Sequence, residues 1–518
     1  MLENIQLLLY GFTIALTPAN LIAAFVGAIL GLIVGAMPGI GSLTGVALLL
    51  PLTFRIDPTT AVIALASLYY SNMYGGSFSA ILLNIPGDTP AIVTAMDGYP
   101  MTRKGQAGRA LATAIMSSFI GGSIGIVILT ISGPLLAKWG LAFGPPELSL
   151  LIIFALTSIG WILGENPSAG LCATGLGIML ATVGVDRATG GNRYDFGNVN
   201  LLSGIAFIPL VIGLFGFTQV IDMVINAKSY NEKNMTKVGI RDAILTKDDW
   251  RAIIPTILRC APLGCIVGVM PGAGATAATF ICYAIEKRTN TFKDLMGTGH
   301  PVGIATSESA NNAAAAGAFA PLLTLGIPGG GTTAVLMGGL MMWGLRPGPL
   351  LFTENPDFVW GLISSMYIGN IMCLLIAFAA IPVMMKVVSV PTGVMVPIVS
   401  GVCIIGTYTC NNAMFDVFFM VGAGFVGYFM AISKIPAAPL LLAYVLTPML
   451  EGYVRQTFDI SRGRMKIFYS SNISLTLLAL IVLLSLFPLV GAVRKWRKNK
   501  TLKQIDNALD DGEKLEAE

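Results

Sequence analysis

The chain has little charge, almost no histidine and no paired cysteine motif. Its 31 basic and 27 acidic residues make up 11% of 518 positions, where a soluble domain carries roughly 25%. A water-facing surface cannot be built from so few. The single histidine, His300, excludes a histidine-based metal centre. The seven cysteines (172, 260, 265, 282, 373, 403 and 410) form no CxxC pair and read as small buried hydrophobes. There is no Gly-Lys dipeptide, hence no Walker loop, and no HExxH. GGSIG at 121–125 fits the G-x-S-x-G pattern but lies inside an apolar run, not at a strand-to-helix turn, so an enzyme reading fails. The net charge of +4 is small and sits mostly in loops, and no nucleic-acid patch is visible. The start, MLENIQLLLYGF, lacks the basic n-region of a cleavable signal.

Apolar residues are what the chain has: 55% are hydrophobic and the mean hydropathy is +0.77. Runs at 110–136, 147–163, 169–185, 201–226, 359–385, 414–432 and 472–492 are each long enough to cross a hydrocarbon core of about 30 Å. With the stretches that Gly and Pro interrupt, roughly ten to twelve crossings are expected. The expected fold is an all-α polytopic membrane protein with broken or re-entrant helices. Lys and Arg cluster at 103–109, 228–251 and 494–500, and all three are assigned to the inner side.

The most informative feature is a duplication. LIVGAMPGIGSLTG (32–45) matches CIVGVMPGAGATAA (265–278), and YGGSFSAILLNIPGDTPAIV (74–93) resembles AGAFAPLLTLGIPGGGTTAV (316–335). Pro38 pairs with Pro271 at an offset of 233, and Pro86 with Pro328 at 242, in the same order. The basic turn follows the second motif in the first copy (Arg103, Lys104, Arg109) and the first motif in the second copy (Lys287, Arg288, Lys293), as in an inverted pair. The expected organisation is a first repeat at 15–110, connecting helices at 111–227, a basic loop at 228–251, a second repeat at 252–350, C-terminal helices at 351–493 and a polar tail at 494–518.

Pro removes a backbone donor and Gly permits non-helical backbone. A Pro-Gly pair within an apolar run therefore frees N–H and C=O groups, which survive in a membrane only beside protein or a water-filled cavity. Broken helices at corresponding places in two halves point to a transporter binding site. Candidate substrate-binding residues are Pro38, Gly39, Gly41, Ser42, Ser77, Asn84, Pro86 and Gly87 in the first copy, with Pro271, Gly272, Gly274, Pro328, Gly329 and Thr332 in the second. The oxygen-bearing residues Asn72, Asp88, Thr89, Thr276, Ser307, Glu308, Asn311 and Asn312 are candidate cation ligands, with sodium as the coupling ion these neutral oxygens suit best. Neither motif contains Lys or Arg, so a bound cation would supply the positive charge that an anionic substrate needs. Asp97, followed by Gly-Tyr-Pro, reads as a loop or interface acid. A channel without gradient coupling is the alternative.

The stretches 35–54, 69–111 and 297–330 closely resemble the large membrane subunit of the tripartite tricarboxylate transporters, the TctA family, and the likeness runs from about 15 to 460. That resemblance implies a secondary transporter of the bacterial inner membrane that carries citrate or a related carboxylate on a sodium or proton gradient. It implies two partners, a small four-helix membrane subunit (TctB-like) and a periplasmic solute-binding protein (TctC-like). No organic cofactor and no nucleic acid is expected; membrane lipid surrounds the chain, and the glycine content is compatible with a homodimer.

Overall fold

A computed structural model describes residues 2–37, 39–162, 167–186, 188–226, 239, 242–272, 274–388 and 390–486. Pro38, positions 228–238, 240 and 241 of the basic loop, and the tail 494–518 lie outside the described residues. α1 (Leu2–Ala15) precedes the first repeat, which spans α2 (Pro18–Ala36), α3 (Ser42–Leu49), α4 (Pro58–Leu83) and α5 (Ala91–Arg103). Next come α6 (Ala107–Gly140), α7 (Pro145–Ile162), α8 (Pro167–Ala181) and α9 (Phe207–Ile225). The second repeat holds α10 (Lys247–Val269), α11 (Gly274–Thr289), α12 (Pro301–Gly317), α13 (Phe319–Leu325) and α14 (Gly331–Met342). The chain continues with α15 (Pro356–Val388), α16 (Thr392–Asn411), α17 (Met414–Ile432), α18 (Ala437–Ser461) and α19 (Asn472–Leu486). Eight of these, α2, α6, α9, α10 and α15 to α18, are long and apolar enough to cross a membrane. The protein is an all-α polytopic membrane protein.

Two boundaries differ from the hydropathy reading. The run at 201–226 starts with a turn, and its helix begins only at Phe207, after Gly204 takes a φ of 84° that stops helix formation. The basic loop ends earlier than its charge suggests, because Lys247 to Arg251 already form the first turn of α10. A capping box sets that start: the Asp249 amide donates to Thr246 Oγ1 (3.2 Å) and the Thr246 amide to Asp249 Oδ2 (2.9 Å).

The two repeats pack by the same contacts. Gly31 and Gly35 of α2 lie against the carbonyls of Leu68 and Asn72 on α4, and Gly75 of α4 lies against that of Leu32. In the second copy Gly264 and Gly268 of α10 lie against the carbonyls of Ala310 and Ala314 on α12, and Gly317 against that of Cys265. Each of these α2 residues maps to its α10 counterpart at the offset 233, and each of these α4 residues to its α12 counterpart at 242, the spacings of the two Pro-Gly motifs. Without a Cβ the backbones approach closely, which supplies dispersion contact where lipid offers no hydrophobic drive. α12 is buried along its whole length. It is built largely from Ala, Ser, Gly and Asn, small enough to sit between α6, α10 and α5.

The ends of the repeats touch reciprocally. Gly299, just before α12, packs on Pro100 and Met101 of α5, and Lys104 donates to the Thr298 carbonyl at 2.7 Å. Phe54, shortly before α4, meets Trp343 at the end of α14 with ring centroids 5.9 Å apart. The first turn of α6 also meets the start of α10, where Arg109 Nε bonds both Asp249 carboxylate oxygens at 3.1 Å.

An added methyl at Gly31 or Gly264 would overlap a carbonyl oxygen that cannot swing aside. Gly31→Ala and Gly264→Ala are each expected to cost about 1–3 kcal/mol, read as a lower unfolding temperature of the detergent-purified protein. Gly175→Ala on α8, whose added carbon meets nothing within 4 Å, should leave that temperature unchanged.

Candidate functional site

Each repeat is broken twice. Between α2 and α3, Gly39 turns the chain at φ 87°, and between α10 and α11, Gly272 does so at φ 78°. α4 ends on left-handed Asn84 (φ 59°) and α13 on left-handed Gly326 (φ 68°), positions separated by 242 residues. Asn is one of the few side chains that tolerate this region, so Asn84 does in the first copy what glycine does in the second. Asn84 is exposed. Pro86 and Gly87, and Pro328 and Gly329, then lead into α5 and α14. Gly87 lies on the carbonyl of Gly35, and Gly329 on that of Gly268, so each second break is seated on the helix that precedes its first.

The breaks are satisfied differently in the two copies. In the first, the Ser42 amide at the start of α3 donates to Asp88 Oδ2 at 3.0 Å and the Thr89 amide to Asp88 Oδ1 at 2.7 Å. Gly41 packs against the same carboxylate. An acid of the protein thus occupies the positive end of a half-helix. In the second, the Gly272 amide donates to the Gly329 carbonyl at 3.1 Å, the Gly330 amide to Thr333 Oγ1 at 3.0 Å, and Ser158 Oγ to the Pro271 carbonyl at 3.2 Å. Among the described residues no carboxylate bonds the start of α11 or α14. The copies meet where Ser42 Oγ lies 3.1 Å from Thr332 Oγ1, both buried. Gly274 lies beside Gly330.

A second polar cluster lies inside the protein. Glu308 of α12 is fully buried; Oε1 accepts from Thr94 Oγ1 of α5, and Oε2 from Ser118 Oγ of α6 at 2.9 Å. Thr94 Oγ1 also lies 2.8 Å from Ser307 Oγ. Ser77 of α4, whose Oγ donates to the Met73 carbonyl at 3.2 Å, lies near the same carboxylate. One turn on, Asn312 Nδ2 donates to the Glu308 carbonyl at 3.0 Å. Asn312 Oδ1, Asn311 Oδ1, Ser117 Oγ and both polar atoms of Asn72 are buried with no hydrogen-bond partner.

The candidate residues therefore fall into groups. Ser42, Asp88, Thr89 and Thr332 meet at the breaks; Ser77, Ser307 and Glu308 meet inside, with Asn312 adjoining. Thr276 stands apart, half-buried on α11, its carbonyl taken by Thr279 Oγ1 at 2.8 Å. Thr94 and Ser118 were not among the candidates. Their signal was present, since Ser117 and Ser118 are two adjacent hydroxyls within an apolar run.

Asp97 is a helix residue and not a loop one. α5 continues through it to Arg103, and its carboxylate is fully buried. It accepts from the amides of Gly297 (2.8 Å), Gly299 (3.0 Å) and His300 (3.0 Å) and from Tyr283 Oη (2.8 Å). The first copy thereby grips the loop before α12. Beside it the His300 imidazole, stacked on Phe292 at 5.0 Å, titrates below its usual range because it is partly desolvated.

Among known families, the model of the "Tripartite tricarboxylate transporter TctA family" matches residues 21–442. The chain is similar to the "Uncharacterized 52.8 kDa protein in TAR-I ttuC' 3'region" of Agrobacterium vitis, 38% identical over 502 residues, 96% of this chain and 98% of that one. It is also similar to the "Uncharacterized protein in TAR-II ttuC' 3'region" of the same organism, 37% identical over 234 residues, 45% of this chain and 97% of that one. No solved structure matches.

If Asp97 is a clamp, Asp97→Ala strands three amides and a phenol without an acceptor. A destabilisation of at least about 3 kcal/mol is expected, seen as a fall in folded yield, with Asp97→Asn intermediate. Substrate affinity of the protein that folds should be unchanged; a raised half-saturation concentration for uptake would instead place Asp97 in the binding site.

Proposed function

Because the chain belongs to the tripartite tricarboxylate transporter TctA family, a multi-pass membrane component of a tripartite carrier, we propose that it is the subunit that carries the carboxylate across. The reading is import of citrate or a related carboxylate across the bacterial inner membrane by alternating access, driven by a sodium or proton gradient. A small membrane subunit would accompany it, and a periplasmic solute-binding protein would deliver the substrate.

The observation that carries this reading is the meeting of the two broken regions at Ser42 and Thr332. Asp88 already fills the positive end of α3. The starts of α11 and α14 bond no carboxylate among the described residues, so free helix-start amides and the two hydroxyls can receive an anionic group there. The reciprocal end contacts, Gly299 with α5 and Phe54 with Trp343, support an inverted pair of repeats. Such a pair offers equivalent inward and outward arrangements around one site.

The test is uptake of labelled citrate into proteoliposomes under an inward sodium or proton gradient, with and without the two partners. Saturable, gradient-dependent uptake is expected. Thr332→Val removes a hydroxyl from the anion and should raise the half-saturation concentration about ten- to a hundredfold, the weight of a hydrogen bond to a charged group. Non-saturable flux without a gradient would establish a channel instead.

A further inference from the structure

We infer that Glu308, with Thr94, Ser118, Ser307 and Asn312, forms a binding site for one monovalent cation, held between the two repeats. The inference rests on the transporter reading only for its role in coupling; the site itself stands on geometry.

Glu308 is the one acid in this cluster, and it is fully buried. None of the ion pairs among the described residues includes it. A carboxylate taken out of water without a counter-charge is strongly disfavoured, so a positive species must accompany it. The groups around it carry oxygen and no charge: Thr94 Oγ1 and Ser118 Oγ on the carboxylate, and Ser307 Oγ at 2.8 Å from Thr94. Tyr74 of α4, a buried phenol that bonds Asn370 Oδ1 at 2.9 Å, is the titratable group facing it from that side. One carboxylate among neutral oxygens gives a site charge of −1, which suits a monovalent rather than a divalent ion.

The second observation concerns an orphaned acceptor. Asn312, one turn on from Glu308 and on the same face of α12, bonds the Glu308 main-chain carbonyl through Nδ2, yet its Oδ1 accepts nothing. Buried polar atoms are nearly always satisfied. A proton on Glu308 would neutralise the acid and leave this oxygen as it is. A cation coordinated by oxygen accounts for both the charge and the orphaned Asn312 oxygen.

The ligands come from α5 of the first repeat, α12 of the second, and α6 between them. An ion at this place ties the repeats together, and its departure frees Thr94 from Glu308.

The full chain, purified in detergent without carboxylate, should be titrated with radioactive sodium, using potassium as competitor. Saturable binding of one sodium per chain is expected. Glu308→Gln should abolish it, and Thr94→Val and Ser118→Ala should each weaken it about tenfold or more. Glu147→Gln, a buried acid bonded instead to Ser471 and Ser474, should leave it intact. If Glu308→Gln fails to fold, the two hydroxyl variants decide. Sodium binding that survives all three substitutions overturns the site. So does a folded wild-type chain that binds no sodium while its uptake follows a proton gradient. Intact sodium binding without uptake of any carboxylate would sink the proposed function and leave the site standing.

Discussion

A backbone carbonyl of one helix lying directly on a glycine of the next is the contact from which the rest of this structure is built. Gly35 under the Asn72 carbonyl and Gly268 under the Ala314 carbonyl bring α2 onto α4 and α10 onto α12 at the same points. The same two helices then receive the chain returning from the second breaks, with Gly87 on Gly35 and Gly329 on Gly268. Breaking a helix in a membrane exposes groups that lipid cannot satisfy. Here each break is laid against a helix brought close enough, by missing side chains, for backbone to meet backbone. The broken helices and the glycine seams are thus one device.

On this shared frame the copies have diverged in their polar content. At the α2–α3 break an acid, Asp88, meets the helix start; its counterpart at the offset of 242 is Gly330. On the central helices the second copy carries Ser307, Glu308, Asn311 and Asn312 where the first has Leu65, Ala66, Tyr69 and Tyr70. Both tyrosine rings lie about 6 Å from that of Phe319, Tyr70 stacked and Tyr69 tilted, and fill space; Phe319 in turn stands where the first copy has Ser77. Charge placed once in a duplicated frame makes the interior asymmetric.

Much of this was legible from the chain alone. The scarcity of charge led to a membrane protein, and the paired MPG and IPG stretches located all four breaks. Positive-φ backbone at Gly39, Gly272, Asn84 and Gly326 occurs where those motifs stand. What stayed hidden depended on partners distant in sequence. Thr94 and Ser118 gain meaning only from Glu308, some two hundred positions away. Asp97 read as a loop acid because Gly-Tyr-Pro follows it, whereas α5 runs through Pro100 and the acid meets a loop of the other repeat. α12 escaped any hydropathy count, since a helix of Ala, Ser, Asn and Gly is central because it is slender, not because it is greasy.

The grip of Asp97 on the loop before α12 is made almost wholly with main-chain amides. What the carboxylate recognises is therefore a shape of backbone, set by Gly297 and Gly299 at φ 86° and 98°, rather than the identity of the loop's side chains. Thr298 offers only its carbonyl to Lys104. The joint between the repeats can accordingly hold while the outward side chains of that loop are rewritten, without loosening the two halves from each other.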